Sequence, residues 1–371
     1  MQREVDFIYK VLRSGADYAF LRADGAPTIR MQRSSEIKMS FQGDFRPGAV
    51  DAEGNPVPVN WLADEVEPVI VIDGEQTPLG VFAASKVPET GEDGKKTLPV
   101  QAYDRCWRVK DTRAESRPYW AAGTLYLDAV EQLLVASGVN TFIAIPTDAA
   151  FYTAREDWDV GTSYLQIINE LLDEISYKPL WFDGEGVAML EPFSVPTAES
   201  IEHTLTDLVE RVSGLPDPAK IERLIGRKIT RSTDIYEAPN VWVCVCDNPD
   251  FPAPLVATSE NNNVNSPLST VRRGRRIVKK VDVKNIASQL ELQNYADTLR
   301  NKSLISGEII ELETALLPGY GVDDVVALHF KDYSGQIADF DGIGIDHEWT
   351  MALTVGGTMT HKIEKVVYNL D

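Results

Sequence analysis

At 371 residues the chain exceeds one ordinary core, so two or three domains of about 100–200 residues each are expected. Hydrophobic residues make up 43% and charged residues 25% of the sequence, which is typical of a folded globular protein and excludes a disordered one. The formal net charge of −21 opposes binding to phosphate backbones and anionic lipid head groups, so a sequence-specific nucleic-acid binder is not expected.

The cysteine count argues against a disulfide-stapled or zinc-bound domain. Only Cys106, Cys244 and Cys246 are present, with no second pair to complete four soft metal ligands. We therefore predict that all three are small core residues. The first residues contain no signal-peptide pattern and no apolar run spans a membrane, so the chain is predicted to be made in the host cytoplasm without membrane insertion.

Residues 1–112 are predicted to form a first antiparallel β-barrel domain. Val5, Ile8, Tyr9 and Leu12 have helical spacing, which predicts one short opening helix that ends at 14–15. Turn signals then separate five strand-like runs, over residues 18–22, 37–41, 69–72, 79–87 and 98–103.

Residues 113–192 are predicted to form a small α/β module. An apolar stripe predicts one helix that begins near Leu125 and ends at 137–138. A second helix is predicted over 163–177, with Thr162 or Ser163 as its N-cap. Residues 179–192 have the pattern of a tight hairpin.

Residues 193–235 are predicted to be a connecting segment and 236–371 a second β-barrel domain. The latter contains a strand at 240–246, an Asn-rich loop at 258–270, and two closing strands at 345–355 and 358–368. One helix is predicted over 285–301, with its inward face formed by Ile286, Leu290, Tyr295, Ala296 and Leu299. The fold class predicted for the whole chain is β-rich α+β, with two tube-like antiparallel barrels around the α/β module.

One basic segment stands out in this acidic chain. It consists of Arg272, Arg273, Arg275, Arg276, Lys279 and Lys280. A solvated basic loop is favoured over a docking patch for an acidic protein or a phosphate, because no aromatic residues interleave to stack bases. These six residues and the loop before them are nevertheless the candidates for contact with a partner.

Motifs for catalysis or cofactor binding are missing. The four histidines form no HExxH motif, and neither a nucleophile elbow nor a P-loop occurs. The acidic stretch 339–348 resembles a calcium loop, but Ile343 occupies a ligand position and no Glu stands at the twelfth position. A β-turn before the final hairpin is the favoured interpretation. No catalytic residue, metal or cofactor is predicted.

Several short motifs resemble the baseplate hub proteins of tailed phages. These hub proteins include the late control protein D family and the tube-capping part of type VI secretion spikes. The similar stretches are Leu12-Arg13-Ser14-Gly15, Pro78-Leu79-Gly80-Val81-Phe82, Val100 to Arg105, Tyr295 to Ile309, Leu317 to Val326, and Ile345 to Val367.

The resemblance implies a structural protein of the virion tail. Two barrels per chain would form one third of a trimeric ring, which adapts a hexameric tail tube or distal tail protein to a threefold spike, tail tip or fibre protein. Genomic DNA and the tape measure protein would pass through it, and an acidic lumen would repel the phosphate backbone. The stretch 307–330, two strand-like runs around a Pro-Gly turn, would then be wall of the second barrel.

Two other classes of function remain open at this point. A tail-associated cell-wall hydrolase would need an acid/base pair or a metal site, and the sequence marks neither. A carbohydrate- or receptor-binding β module would use exposed aromatic rings. The candidates for such stacking are Trp61, Trp120, Trp158, Trp181 and Trp349.

Overall fold

The structure is a computed structural model that describes residues 4–87, 90–92, 95–206, 221–222, 229–233, 238–247, 253–283, 286, 288–330 and 340–366. This part of the chain contains 24 strands, five α-helices and one short 3-10 helix at Ala198–Ser200. The α-helices are α1 Cys106–Asp111, α2 Tyr126–Ala136, α3 Tyr164–Glu174, α4 Thr270–Arg273 and α5 Gln289–Lys302. No helix among these residues is long and apolar enough to cross a membrane.

Strands dominate both ends of the chain. The first eleven are β1 Val5–Arg13, β2 Ala16–Leu21, β3 Thr28–Gln32, β4 Met39–Phe45, β5 Ala49–Val50, β6 Pro56–Val57, β7 Glu65–Ile72, β8 Glu75–Pro78, β9 Phe82–Lys86, β10 Thr90–Glu92 and β11 Lys95–Asp104. The middle of the chain has β12 Phe142–Ala144, β13 Trp181–Phe182, β14 Ala188–Leu190, β15 His203–Thr206, β16 Ile221–Glu222 and β17 Thr230–Thr233. The last seven are β18 Val241–Cys246, β19 Leu255–Glu260, β20 Val278–Val283, β21 Ile305–Ala315, β22 Val325–Phe330, β23 Phe340–Ala352 and β24 Thr358–Val366.

The predicted opening helix is wrong, because this segment is strand β1. It pairs antiparallel with both β2 and β7, and the pairing with β7 runs from Val5 to Leu12. Tyr9 and Val11, two residues apart, both point into the core, as the period of a strand requires. Pairing on both sides satisfies the backbone of these residues, which overrides their weak helical spacing.

The first β region is built around a cluster of aromatic rings. Its strands pair in the order β2-β1-β7-β9-β11-β4, and Ala23, just after β2, forms a bridge to Phe45 in β4. The rings of Tyr9 and Phe45 meet edge to face at 5.3 Å, and Phe41 packs against Phe82 at 5.5 Å. All five strands predicted for this region are present. Two closed barrels remain a prediction.

The α/β module has the predicted two helices and hairpin. Helices α2 and α3 share one hydrophobic cluster with residues of the small sheet β12-β14-β13. The side chain of Ser163 caps α3 by accepting the N–H of Gln166. Arg155, which is 2% exposed, lies inside the module and binds Glu174 through two nitrogens, at 2.7 and 3.2 Å. This pair ties the loop before α3 to its C-terminal end.

The second β region is joined to the first by direct strand pairing. Its strands follow the order β17-β21-β24-β23-β22-β15, and β23 pairs antiparallel with β3, so that Trp349 lies opposite Met31. One hydrophobic cluster contains buried residues of both regions. Strands β15 and β17 come from the predicted connecting segment, and the predicted domain boundaries stay a prediction.

A second α/β unit lies between β17 and β21. Helix α5 packs on the three-stranded sheet β19-β18-β20. Its inward face contains Tyr295 and Ala296 as predicted, but Leu290 is 70% exposed and Leu292 takes the buried position. Residues 292, 295, 296 and 299 share one face at helical spacing, whereas 290 lies on the opposite side.

Two further predictions are resolved by this architecture. Residues 340–348 belong to the long strand β23, so the β-turn predicted there is wrong; 331–339 lie outside the described residues. The three cysteines are free and buried, as predicted. The predominance of antiparallel sheet with few helices confirms the β-rich α+β fold class.

Candidate functional site

The basic segment is exposed to solvent, and its backbone is held by a polar scaffold; its role as a partner contact stays a prediction. We call residues 272–280 the basic strip: it comprises the end of α4, a connection, and the start of β20. The buried amide of Asn240 donates to the carbonyl oxygens of Leu268 and Arg275, at 3.2 and 3.0 Å. Its Oδ1 accepts the N–H of Ile277 at 2.7 Å. These bonds fix the backbone just before the strip and at two positions within it.

The Asn-rich loop before the strip is ordered in the same way. The buried Asn261 side chain donates to the hydroxyl oxygens of Ser266 and Ser303, at 3.1 and 3.2 Å. The Ser269 hydroxyl caps α4 by accepting the N–H of Arg272, and Gly274 ends the helix at a φ of +63°. The sequence therefore encodes a rigid support for the cations rather than a flexible linker.

Three of the six basic side chains have partners within the protein. Arg273 donates to the carbonyl of Ala238 at 2.6 Å, Arg276 pairs with Glu260, and Lys280 lies 2.6 Å from Asp282. The hydrogen bond from Thr270, followed by the Arg276 guanidinium, holds the pKa of Glu260 below its usual value.

Arg272, Arg275 and Lys279 are exposed, and none of them pairs with a carboxylate of the described residues. The structure therefore places the six predicted residues between the end of α4 and the start of β20, and it leaves three of their charges directed to solvent. An acidic or phosphate-bearing partner could neutralise them.

The turn between β21 and β22 is a buried structural feature. The carboxylate of Asp324 accepts the N–H of Gly321 at 2.7 Å and lies 3.0 Å from Nε2 of His203. The indole of Trp349 donates to the carbonyl of Gly321 at 2.9 Å. The ring of Tyr320 packs between the rings of His203 and His361, with centroids 4.6 and 5.1 Å away. These contacts bury the turn against the second β region, and its place in the wall of a barrel stays a prediction.

One arrangement missed by sequence reasoning resembles a catalytic triad in its residue types. Nδ1 of His361 lies 2.5 Å from Asp346, and its Nε2 lies 2.8 Å from the hydroxyl of Thr314. The side chains of His361 and Asp346 are 0% exposed and Thr314 is buried, so the hydroxyl is not presented to solvent. The three residues link β21, β23 and β24 across the core. The final predicted hairpin could have revealed this, because it places 346 and 361 on adjacent strands.

A cavity of about 320 Å³ lies where both β regions, the module and α5 meet. Basic residues line it, but each has a local partner: Arg33 pairs with Asp323, and Lys302 lies 2.8 Å from Asp173. Lys38 donates to two backbone carbonyls, and burial lowers its pKa. The cavity is therefore a junction whose charges are already compensated.

Among the described residues, the candidate tryptophans present no fully exposed ring and the acidic groups form no metal-binding cluster. Trp120, Trp158 and Trp349 are buried, while Trp61 and Trp181 are half-buried against the main core. Within the described residues, no group of three or more His, Cys, Asp or Glu side chains is arranged to hold a metal ion.

Comparison with known proteins finds likeness in structure only. No protein-family model matches the sequence, and no curated protein matches it. The tail protein of Neisseria meningitidis MC58 superposes with a TM-score of 0.64 at 13% identity, covering 97% of this chain and 96% of that one. The 43 kDa tail protein of prophage MuSo2 from Shewanella oneidensis gives 0.62 at 10% identity, covering 97% and 98%.

A third similar structure is a component of the Escherichia coli type VI secretion system, described as similar to the T4 bacteriophage tail proteins gp27 and gp5. Its TM-score is 0.50 at 12% identity, and the match covers 99% of this chain and 77% of that chain. The chain therefore has the fold of these tail and secretion proteins over nearly its whole length, which confirms the resemblance predicted from its motifs at the level of fold.

Proposed function

We propose that this chain is a structural, non-enzymatic hub of a phage tail baseplate or tail tip. The observation that carries the proposal is its full-length fold likeness to two phage tail proteins, each aligned over 97% of this chain. Because fold alone does not fix function, the chain's own residues must agree with the role.

Three features of the chain support the proposal. The direct pairing of β3 with β23 makes both β regions one continuous wall, as a load-carrying ring element requires. The net charge of −21 keeps a passing DNA backbone from binding. The triad-like residues are sealed in the core, so the wall has no exposed chemistry at that point.

In this role three copies form a ring that adapts a hexameric tail tube or distal tail protein to a threefold spike, tail tip or fibre protein. Genome and tape measure protein pass through the lumen during ejection. The basic strip is the proposed partner contact, and the virion tail is the proposed location. Trimers of this kind present two similar β regions per chain to six tube subunits.

The test is the mass of the purified protein by light scattering, at micromolar concentration and several salt concentrations, alone and with purified tail-tube and spike proteins. We expect a trimer, either alone or with a tail partner, and a ring in negative-stain images. A chain that stays monomeric with every tail protein contradicts the proposal. Clearing of cell walls in a zymogram, or binding on a glycan array, would then support the two other classes.

A further inference from the structure

The small sheet β19-β18-β20 has one covered face and one open face. Cys244, Cys246 and Ala257 point toward α5 and are buried. On the opposite face, Val256 and Val278 are 52% and 58% exposed. On β20, Val278 and Lys280 lie on this open face, whereas Lys279 lies on the α5 side opposite Trp242 and remains exposed there.

The two edges of this sheet differ in whether their backbone groups have hydrogen-bond partners. At the β19 edge, the side-chain amide of Gln289 donates to the carbonyl of Val256 at 2.9 Å, and that of Gln293 donates to Thr258 at 3.3 Å. These glutamines of α5 satisfy backbone carbonyls that would otherwise attract another strand. The β19 edge is therefore closed by the chain itself.

No described residue covers the β20 edge in this way. Val241 of β18 donates its N–H to the carbonyl of Ile277 in the parallel pairing. Backbone groups alternate in direction along a strand, so Val278, Lys280 and Asp282 direct their N–H and C=O groups away from β18. None of the residues the structure describes hydrogen-bonds to those groups. The edge is an open template for one more strand.

Charge indicates what could occupy this edge. The basic strip contains six of the 36 basic residues and no carboxylate. The remaining 30 basic residues are set against 57 acidic ones, which leaves a formal charge of −27 for the rest of the chain. A second copy of the same chain therefore presents an acidic surface that complements the strip.

We propose that the β20 edge and the basic strip form the surface through which a neighbouring copy of this chain joins. An extended acidic segment of the neighbour continues the sheet as a fourth strand, while its carboxylates pair with Arg272, Arg275 and Lys279. Such a contact is heterologous, and repetition around an axis closes a ring. The inference rests on the proposed ring and names the surface that builds it.

Two matched pairs of variants test this surface. Val278→Pro removes an outward N–H from β20, whereas Val278→Thr keeps that N–H and the β-branched shape. The triple Arg272→Glu, Arg275→Glu, Lys279→Glu reverses the free charges of the strip. Its control reverses three exposed cations of the first β region, Arg46, Lys86 and Lys96, and shifts the net charge by the same amount.

We expect Val278→Pro and the strip triple each to raise the monomer–trimer Kd by about tenfold or more, because each interface loses backbone hydrogen bonds or ion pairs. The two controls should assemble like the wild type. Near-ultraviolet circular dichroism checks that every variant is folded, and light scattering over a dilution series measures the Kd.

The outcomes separate the inference from the proposed function. A wild-type trimer whose assembly is unchanged by both test variants overturns the role of β20 and leaves the ring intact. Assembly equally weakened by the strip triple and its control would mean that bulk charge acts instead of this surface, which also overturns the inference. A wild type that never assembles, alone or with tail proteins, overturns both.

Discussion

The hydroxyl of Tyr295 in α5 donates a hydrogen bond of 2.7 Å to Asp173 in α3, across the boundary between the module and the second α/β unit. The ammonium group of Lys302 lies 2.8 Å from the other oxygen of the same carboxylate. Burial, followed by the negative charge of Asp173, raises the pKa of Tyr295. One carboxylate therefore fastens two helices that are distant in the sequence.

We expect Tyr295→Phe to lower the free energy of unfolding by about 1 kcal/mol, because Asp173 loses one neutral donor and keeps Lys302. Asp173→Ala should cost more, since it leaves a buried hydroxyl without its acceptor. Urea denaturation followed by tryptophan fluorescence measures the free energy of unfolding of both variants. Tyr119→Phe, at an exposed ring, is the control and should leave the free energy of unfolding unchanged. Equal losses of stability from Tyr119→Phe and Tyr295→Phe would contradict the role of the Tyr295–Asp173 hydrogen bond in joining α5 to α3.

The buried Arg155 provides a sharper test of module stability. Its guanidinium pairs with Glu174, and it stacks over the ring of Trp158 at 4.7 Å. Arg155→Ala leaves the Glu174 carboxylate buried without its cation, so we expect a loss of about 3–5 kcal/mol. The pair between Arg117 and Asp159 is 63% and 78% exposed, and Arg117→Ala should cost less than about 1 kcal/mol. If Arg155→Ala and Arg117→Ala lower the unfolding free energy by similar amounts in chemical denaturation, burial of the Arg155–Glu174 pair does not determine its contribution.

Helix α3 shows which parts of the fold are visible in the sequence. Its apolar residues repeat at helical spacing and Ser163 precedes them, so local pattern and capping agree with the structure. Strand β1 shows the opposite case. Val5, Ile8 and Leu12 fit a helix locally, and pairing with β2 on one side and with the distant β7 on the other decides for a strand.

The basic strip could be predicted only in part, because the sequence shows local patterns and not long-range contacts. The cations of the basic strip are adjacent in sequence and easily noticed, but their rigidity depends on Asn240 and Asn261, which hydrogen-bond across the fold. The open β20 edge could not be inferred either, because the closure of the β19 edge depends on Gln289 and Gln293 in a later helix. Long-range pairings leave no local pattern.

The hairpin of the module docks on the first β region through a backbone contact. A Cβ added at Gly184 would lie 2.7 Å from the carbonyl oxygen of Pro78, and backbone there cannot move aside as a side-chain tip can. Nearby, Arg105 donates to the carbonyl of Gly186 at 2.6 Å and pairs with Glu65 at 2.8 Å. We expect Gly184→Ala to cost about 1–3 kcal/mol by overpacking.

Glu185→Ala, on the exposed tip of the same hairpin, is the matched control and should change the unfolding free energy by less than about 0.5 kcal/mol. Thermal melts of both variants, read beside limited proteolysis of the hairpin, give the comparison. If the two variants melt at the same temperature, the close contact with Pro78 has no energetic role.

The buried carboxyl of Asp104 should make stability depend on pH. It accepts the N–H of Met39 at 2.6 Å and of Cys106 at 2.9 Å, and burial raises its pKa to about 6. The unfolded chain has the ordinary aspartate value of about 3.9. The stability that this group contributes is therefore fully present below about pH 4 and is lost as the pH rises through about 6.

Asp64 should act in the opposite sense, because the Arg13 guanidinium bound to it lowers its pKa. Its contribution to stability is present above about pH 4 and is lost as the pH falls through the lowered pKa of the folded state.

Unfolding free energies of the wild type, Asp104→Asn and Asp64→Asn between pH 3 and pH 8 separate the contributions of the two carboxyl groups. Asp104→Asn should remove the decline in stability between about pH 4 and pH 6, while Asp64→Asn should leave that decline and weaken the loss at the acid end. A decline that persists unchanged in Asp104→Asn would assign it to other groups, since an amide does not titrate in this range.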